Sequence, residues 1–368
     1  MTDPLSVATL AALRGRESLT VSEIAGLTGL SRPTVLAAAT DLERHGLVKR
    51  LSPAVPMGAG RPAVRFGFAA DAAVIAGVDI GVHKIVVLLQ DLNGETVGEQ
   101  RVETSASLTG SVRVRAVVDA IAQAVDANGH HAKLLAVGLG APGLSDASGR
   151  ITFSPALPEW EGIDLGPQVS RMLNCEVLVE SDTLVATLGE FRYGAGRGTN
   201  DFVYLLAGFR TAAGSVIGGR IHRGTSGAAG AVGEMRILEW ADSFARLISD
   251  YAAATGAQEG TALEVFEAAR DGNPGAIAAV ERYANAVAVG LAALSLAIDP
   301  ELIVVGGGIS KAGPSLAAAI RRRLAVHAAV LHPRVEISEL GDRAVAVGAA
   351  RLALDHVESR VLGLVADF

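Results

Sequence analysis

Apolar residues recur at helical spacing near the start of the chain, at Leu5, Ala8, Leu10 and Leu13, and predict a first helix. Thr20-Val-Ser-Glu23 then fits a capping box, in which the Thr20 hydroxyl takes a free backbone amide and Glu23 reaches back to the cap. Ile24, Ala25 and Leu27 continue the apolar face of a second helix, and Gly29 ends it. Ser31 is a good N-cap for a third, with Pro33 in its first turn, where a missing N–H costs nothing. That helix runs to about Arg44 and stops at His45-Gly46. Two short strands follow, Leu47 to Leu51 and Val64 to Phe68, around the Pro- and Gly-rich loop Ser52 to Pro62. Three helices and a two-stranded wing predict a winged helix-turn-helix over residues 1–70.

From about Val74 the pattern changes. AVIAGVDIG and KIVVLLQDL read as strands, and the Asn93-Gly94 turn leads into a third at Thr96 to Val102. A helix from about Ser111 to Ala127 and a buried strand from Leu134 to Gly140 come next. Alternation continues through CEVLVES, a helix around Val185 to Arg192, and the strand DFVYLLAG. A helical block covers roughly 241–297, and ELIVVGGG, a helix from Ser315 to Val326, VEISEL and a final helix complete the chain. Such alternation predicts an α/β body over residues 71–368. The strand triplet that opens it is expected to recur after Asp201.

Composition narrows the picture. The chain has 368 residues, 50% of them hydrophobic, enough for a sizeable core. Gly, Pro or charge interrupts every apolar stretch before 18 residues, so no membrane-spanning helix is expected. No signal peptide is read at the start, and the single cysteine, Cys175, allows neither an internal disulfide nor a multi-cysteine metal site. Both points fit a cytoplasmic protein. Residues 1–70 hold 8 Lys+Arg against 5 Asp+Glu, although the whole chain carries −7. A basic head on an acidic body points to a polyanionic partner for the head, double-stranded DNA.

In a helix-turn-helix the second helix of the pair lies in the major groove. Ser31, Arg32 and Thr34 open that helix here, where side chains reach bases and phosphates, and Thr40 is the next polar candidate. Of Val35 and Leu36, one packs inward and the other faces a thymine methyl. Arg61, between Gly60 and Pro62 in the wing, suits a minor groove.

With the body included, the chain resembles the ROK family of repressors, open reading frames and kinases. The head stretches LTVSEIAGLTGLSRPTVLAAATDLERHGLVKR and GAGRPAVRF resemble its repressor branch. In the body the resemblance lies in AGVDIGVHKIVVLLQDLNGE, VGLGAPGLSDASGRI, VLVESDTLVATLGE, GAGRGTNDFVYL, HRGTSGAAGAVGE and IDPELIVVGGGIS. It implies a two-lobed actin-like (ribonuclease-H-like) sugar-kinase fold with a ligand cleft between the lobes. It also implies a homodimer or homotetramer on an inverted-repeat operator, and a sugar or other small-molecule effector.

Departures from the kinase pattern argue against catalysis. Family kinases hold ATP phosphates with an Asp-x-Gly-Gly-Thr stretch; Asp79-Ile-Gly81 is present here, but Val82 and His83 replace Gly-Thr. A second glycine-rich loop is replaced by Gly208-Phe-Arg-Thr-Ala-Ala-Gly214, whose Phe209 and Arg210 crowd the backbone. Gly306, Gly307 and Gly308 are kept, and such a turn also serves a purely structural role. The family's sugar-binding Asn corresponds to Ala156, and its Asn-Asp pair to Ser181-Asp182. Its Glu and His correspond to Ala231 and Glu234, and its zinc segment is absent. The expected ligand-binding positions are thus Asp182, Ser181, Glu234 and Ala156, with no catalytic residue, no cofactor and no metal. Asp182 either binds a ligand or caps its helix, and Glu234 either contacts the ligand or is solvated. Trp160 is expected to pack near the cleft rim, His130 and His131 to be solvated, and Arg321 to Arg323 to form a solvated face. The expected function is a DNA-binding transcriptional regulator, a repressor of carbohydrate or related metabolic genes; a ligand-independent regulator with a structural body is the alternative.

Overall fold

The computed structural model describes residues 3–51, 64–129, 133–208, 210–256 and 261–363. The head opens with α1 (Pro4–Leu13), which Asp3 caps by accepting from the amides of Leu5 and Ser6. A short strand β1 (Leu19–Thr20), not foreseen from the pattern, runs into α2 (Val21–Thr28). The capping box forms: Glu23 N donates to Thr20 Oγ1 at 3.2 Å and Thr20 N to Glu23 Oε2 at 2.6 Å. Gly29 ends α2 at φ 71°, a left-handed conformation that suits glycine. Ser31 caps α3 (Arg32–Arg44), and β2 (Val48–Leu51) and β3 (Arg65–Phe68) form the wing with β1, in the order β1-β3-β2. Arg61 and the rest of the 52–63 loop lie outside the described residues, as do His130, His131 and Phe209.

The body contains the same sheet twice. In the first lobe, β4 (Ala73–Ile80), β5 (Lys84–Asp91) and β6 (Thr96–Glu103) form an antiparallel triplet. After α4 (Gly110–Ala127), β7 (Lys133–Ala141) joins β4 in parallel. A two-stranded ribbon of β8 (Leu144–Ser145) and β9 (Ile151–Phe153), then α5 (Leu165–Leu173), lead to β10 (Glu176–Ser181), parallel to β7. The order is β10-β7-β4-β5-β6. Helix α6 (Asp182–Tyr193) leads to the second lobe. There β11 (Phe202–Ala207), β12 (Thr211–Ile217) and β13 (Arg220–Ile221) repeat the triplet, as the sequence suggests after Asp201.

The helical block is three helices, α7 (Trp240–Thr255), α8 (Ala262–Arg270) and α9 (Pro274–Ile298). Two parallel strands, β14 (Leu302–Gly306) and β15 (Arg334–Ile337), flank α10 (Pro314–His327) and complete the order β13-β12-β11-β14-β15. Among the described residues α9 alone is long and apolar enough to cross a membrane by length and composition. It is the central helix of the second lobe's core, where Val280, Tyr283, Val287 and Leu291 are buried. Its Glu281 pairs with Arg322 and Arg323 on α10.

The last helix, α11 (Ala344–His356), ties these parts together. It packs between α6 and the face of β4 and β7. Glycines make the approach possible: a Cβ on Gly77 would lie 2.2 Å from Ala346 O, one on Gly138 1.9 Å from Ala349 O, and one on Gly348 1.6 Å from Val185 O. Beyond α11 the chain reaches the head. Leu10, Leu13, Ile24 and Phe66 share one buried core with Ala350, Ala353, Leu354, Val357 and Leu362. Arg14 on the head pairs with buried Glu358 and donates to Leu92 O at 3.3 Å. Arg351 joins Glu358 at 3.2 Å and also pairs with buried Asp355.

This packing predicts a contrast between two glycines. Gly348→Ala has no room and should cost about 3 kcal/mol in chemical unfolding, as overpacking does. Gly26, inside α2 with nothing near its absent Cβ, should gain roughly 0.5–1 kcal/mol as Ala. A Gly348→Ala protein as stable as wild type would mean that α11 is not held in this way.

Candidate functional site

The first candidate is the exposed start of α3. Val35, Ala38, Ala39 and Leu42 are buried against the head core, so the opposite side of α3 faces outward. Ser31 Oγ accepts from Thr34 N at 3.3 Å and lies 2.7 Å from Thr34 Oγ1. Ser31 and Arg32 are exposed and Thr34 half-buried at the helix N-terminus, whose free amides and dipole favour an anion. Among the described residues Arg32 enters no ion pair, whereas Arg50 is held by Glu43 and Lys49 by Asp71. Thr40, half-buried one turn further on, donates its hydroxyl to Leu36 O at 2.7 Å, which occupies its proton but leaves its oxygen free to accept. The choice left open by the sequence is decided by burial: Val35 is fully buried and Leu36 is 44% exposed.

The second candidate is a cavity of about 720 Å³ between the lobes. It gathers all four expected ligand positions, Ala156, Ser181, Asp182 and Glu234, together with Ala231 and Asp79. Ser181, not Asp182, is the N-cap of α6, and its side chain makes no capping bond. Asp182 is the first helical residue: its Oδ1 accepts from Thr183 N at 2.7 Å and Thr183 Oγ1 at 3.1 Å. One oxygen is therefore anchored by the helix start while the carboxyl lines the cavity. Burial, with nearby Asp79 adding repulsion, pushes the Asp182 carboxyl up to about 7. Burial raises Asp79 as well, against the pull of Lys84, whose Nζ lies 3.5 Å away.

Where the kinase pattern is broken, the structure shows what fills the space. Arg210, in the stretch that replaces the glycine-rich loop, pairs with Glu234 at 2.6 Å. Glu234 is thus neither simply solvated nor free for a ligand; two departures from the kinase pattern complement each other. The β4–β5 turn is equally committed. Arg113, fully buried on α4, donates to Gly81 O at 3.0 Å, Val82 O at 3.1 Å, Thr104 Oγ1 at 3.1 Å and Ser105 O at 2.7 Å. Its charge thus sits on carbonyls beneath the turn that kinases aim at phosphate. A zinc site does not fit here: the stretch after Glu234 is a tight turn, Arg236–Leu238, running into α7. Among the described residues no cluster of His, Cys, Asp or Glu could hold a metal.

Trp160 is a packing residue, as expected, but its expected place needs correction: it is not at the cleft rim but wholly buried in the first lobe's core with Val117, Ile121 and Leu165, beside Gly110. Several cavity residues were missed by sequence reasoning: Lys84, Arg101, Tyr204, Lys311 and Asp342. Arg113 did leave a signal, a charge in an otherwise apolar stripe with Val117, Ile121 and Ala124. The others sit on strands and turns far apart in sequence and left none.

Comparison with known proteins agrees with this architecture. Residues 75–356 match the ROK family, and residues 1–55 match the MarR family. The chain belongs to the ROK family. Its N-terminal region is a MarR-like winged helix, and the body has the family's actin-like kinase fold. A xylose repressor of Caldicellulosiruptor bescii is 25% identical over 92% of each chain. A glucokinase of Halalkalibacterium halodurans is 28% identical over 78% of this chain and 97% of its own. Among solved structures, a ROK family transcriptional regulator homologous to the E. coli MLC protein superposes over 95% of both chains, with TM-score 0.69 and 17% identity. A ROK glucokinase from Streptomyces griseus, in complex with glucose and AMPPNP, gives TM-score 0.64 at 28% identity over 76% of this chain and 99% of its own. Relatives of this ROK protein thus include repressors, which match head and body together, and kinases, which match the body.

The raised Asp182 carboxyl yields a pH test. The unfolded chain loses this proton near about pH 4, while the native state holds it to about 7. Wild-type stability therefore falls through that window relative to Asp182→Asn, which cannot ionise. The variant should match wild type near pH 4 and exceed it by up to about 4 kcal/mol above pH 7, read by urea unfolding. A difference independent of pH would mean that Asp182 ionises normally.

Proposed function

We propose that this protein is a DNA-binding transcriptional repressor whose interlobe cleft receives a small-molecule effector, a sugar or a related metabolite. The observation that carries the reading is the exposed start of α3, where Arg32 has no ion pair among the described residues, on a head that shares its core with the helix leading from the cleft. Arg32 and Ser31 contact phosphates, Thr34 and Thr40 reach base edges, Leu36 faces a thymine methyl, and Arg61 in the wing enters the minor groove. Residues 1–70 act as the DNA-binding unit and residues 71–368 as the effector and oligomerisation unit. A homodimer or homotetramer places two heads on an inverted repeat, and lobe movement changes their spacing.

The same reading holds that the cleft does not phosphorylate sugars. Phosphoryl transfer needs close backbone cradles for phosphate, and Arg210, Val82 and His83 occupy those positions. Incubation with ATP and a panel of hexoses should release no ADP above background; turnover would overturn this part of the reading.

Operator selection from random duplexes gives the DNA for two tests. Arg32→Ala should weaken binding across sequences and lower the slope of log affinity on log salt by roughly 1, as for one lost phosphate contact. Arg61→Ala should weaken binding chiefly at A·T-rich positions, and equal affinity of variant and wild type would remove the wing contact. In the cleft, Asp182→Ala should leave DNA affinity unchanged and abolish the response to any sugar that releases the wild type. A preserved response would take Asp182 out of the effector site.

A further inference from the structure

The cleft brings together two cations from opposite lobes on one acceptor. Arg101 extends from β6 in the first lobe, and Lys311 from the turn Gly308–Ala312 in the second. Arg101 Nη1 lies 3.6 Å and Lys311 Nζ 3.8 Å from the same atom, Asp342 Oδ2. Asp342 sits on the turn Gly341–Arg343 that leads directly into α11. All three residues line the cavity.

Both separations exceed a good hydrogen bond, so each cation keeps donor capacity for another acceptor. Arg101 Nε also donates to Glu103 Oε1 at 3.3 Å, but Glu103 is 77% exposed and screened by water. The other cations of the cavity are matched singly, Lys84 by Asp79 and Arg210 by Glu234. Within the cavity, one carboxylate therefore serves two cations at the place where the lobes meet. A third oxygen-bearing group placed between them would accept charged hydrogen bonds from both lobes and draw the lobes together.

We propose that the effector is an anionic metabolite, a polyol bearing a phosphate or carboxylate, whose oxyanion is held between Arg101 and Lys311. The rest of the ligand fills the cavity whose lining includes Ser181 and Asp182. With the Asp182 carboxyl pushed up to about 7, it is only partly ionised near neutral pH and repels such a ligand less than an ordinary carboxylate would. This inference rests on the effector reading of the cleft and adds the chemical class of the ligand. Asp342 begins the path into α11, so an anion that competes for its two cations acts at the root of the helix that reaches the head.

The test measures the thermal midpoint of the full chain with inorganic phosphate against chloride at equal ionic strength and fixed pH. Arg101→Gln and Lys311→Gln are compared with wild type; their side chains are 50% and 61% exposed, so both proteins should fold. Phosphate should raise the wild-type midpoint saturably, with apparent affinity roughly tenfold weaker in each variant. No difference between phosphate and chloride overturns the proposal. Equal phosphate binding by wild type and variants also overturns it, by placing the ion elsewhere, such as the basic head. Hexose phosphates and sugar acids, each run beside its neutral sugar, identify which oxyanion is preferred. Neutral sugars that stabilise wild type and both variants alike would leave the effector reading standing and remove the oxyanion site.

Discussion

The packing of α11 against α6 and the first sheet is the constraint on which the rest of the structure depends. Gly77, Gly138 and Gly348 let backbone meet backbone at distances no side chain allows. Such close contact transmits displacement, because a dense interior does not absorb it. The same helix begins at the cleft, where Ala344 and Val345 line the cavity, and its far end lies in the core of the head. Buried Glu358 and Asp355 there are matched by Arg351 and Arg14. A buried charge without its partner is costly, so this cluster favours one docking of head on body over others.

The cleft keeps the family's fold while its two phosphate-binding stretches depart from the kinase pattern. Phosphate cradles work through glycines that let backbone amides approach a ligand closely. Here Arg210 occupies one such stretch and is satisfied by Glu234, while Arg113 holds the carbonyls of the other turn from below. What stays open is a cavity lined by two carboxyls, buried Asp79 and half-buried Asp182, whose proton affinity is raised by desolvation. The charge that remains lies at Arg101, Lys311 and Asp342, where the lobes approach each other.

Much of this was legible in the sequence because it is written in local terms. Thr20 with Glu23, Gly29, and Ser31 with Pro33 set helix ends through bonds within a few residues. Period-2 and buried apolar runs marked most of the strands, including the triplet that recurs after Asp201. The short strand at Leu19–Thr20 was not legible, since two residues carry no period and exist as a strand only by pairing with Arg65 and Phe66. Trp160 was misplaced for a related reason: a large aromatic near a motif says nothing of which face its turn presents.

The sequence by itself determined the two-part organisation, the helix-turn-helix, the α/β body and the loss of the kinase and zinc motifs, because each depends on residue type at fixed local spacing. It also named Ala156, Ser181, Asp182 and Glu234, which the fold does bring into one cavity. Only the tertiary structure decided that Val35 packs while Leu36 is exposed, that Glu234 is spent on Arg210, and that Arg101 and Lys311 meet at Asp342. It alone showed that the head and α11 share a core. These are relations between residues tens to hundreds of positions apart, and no local preference encodes them; they exist once the lobes and the head have packed.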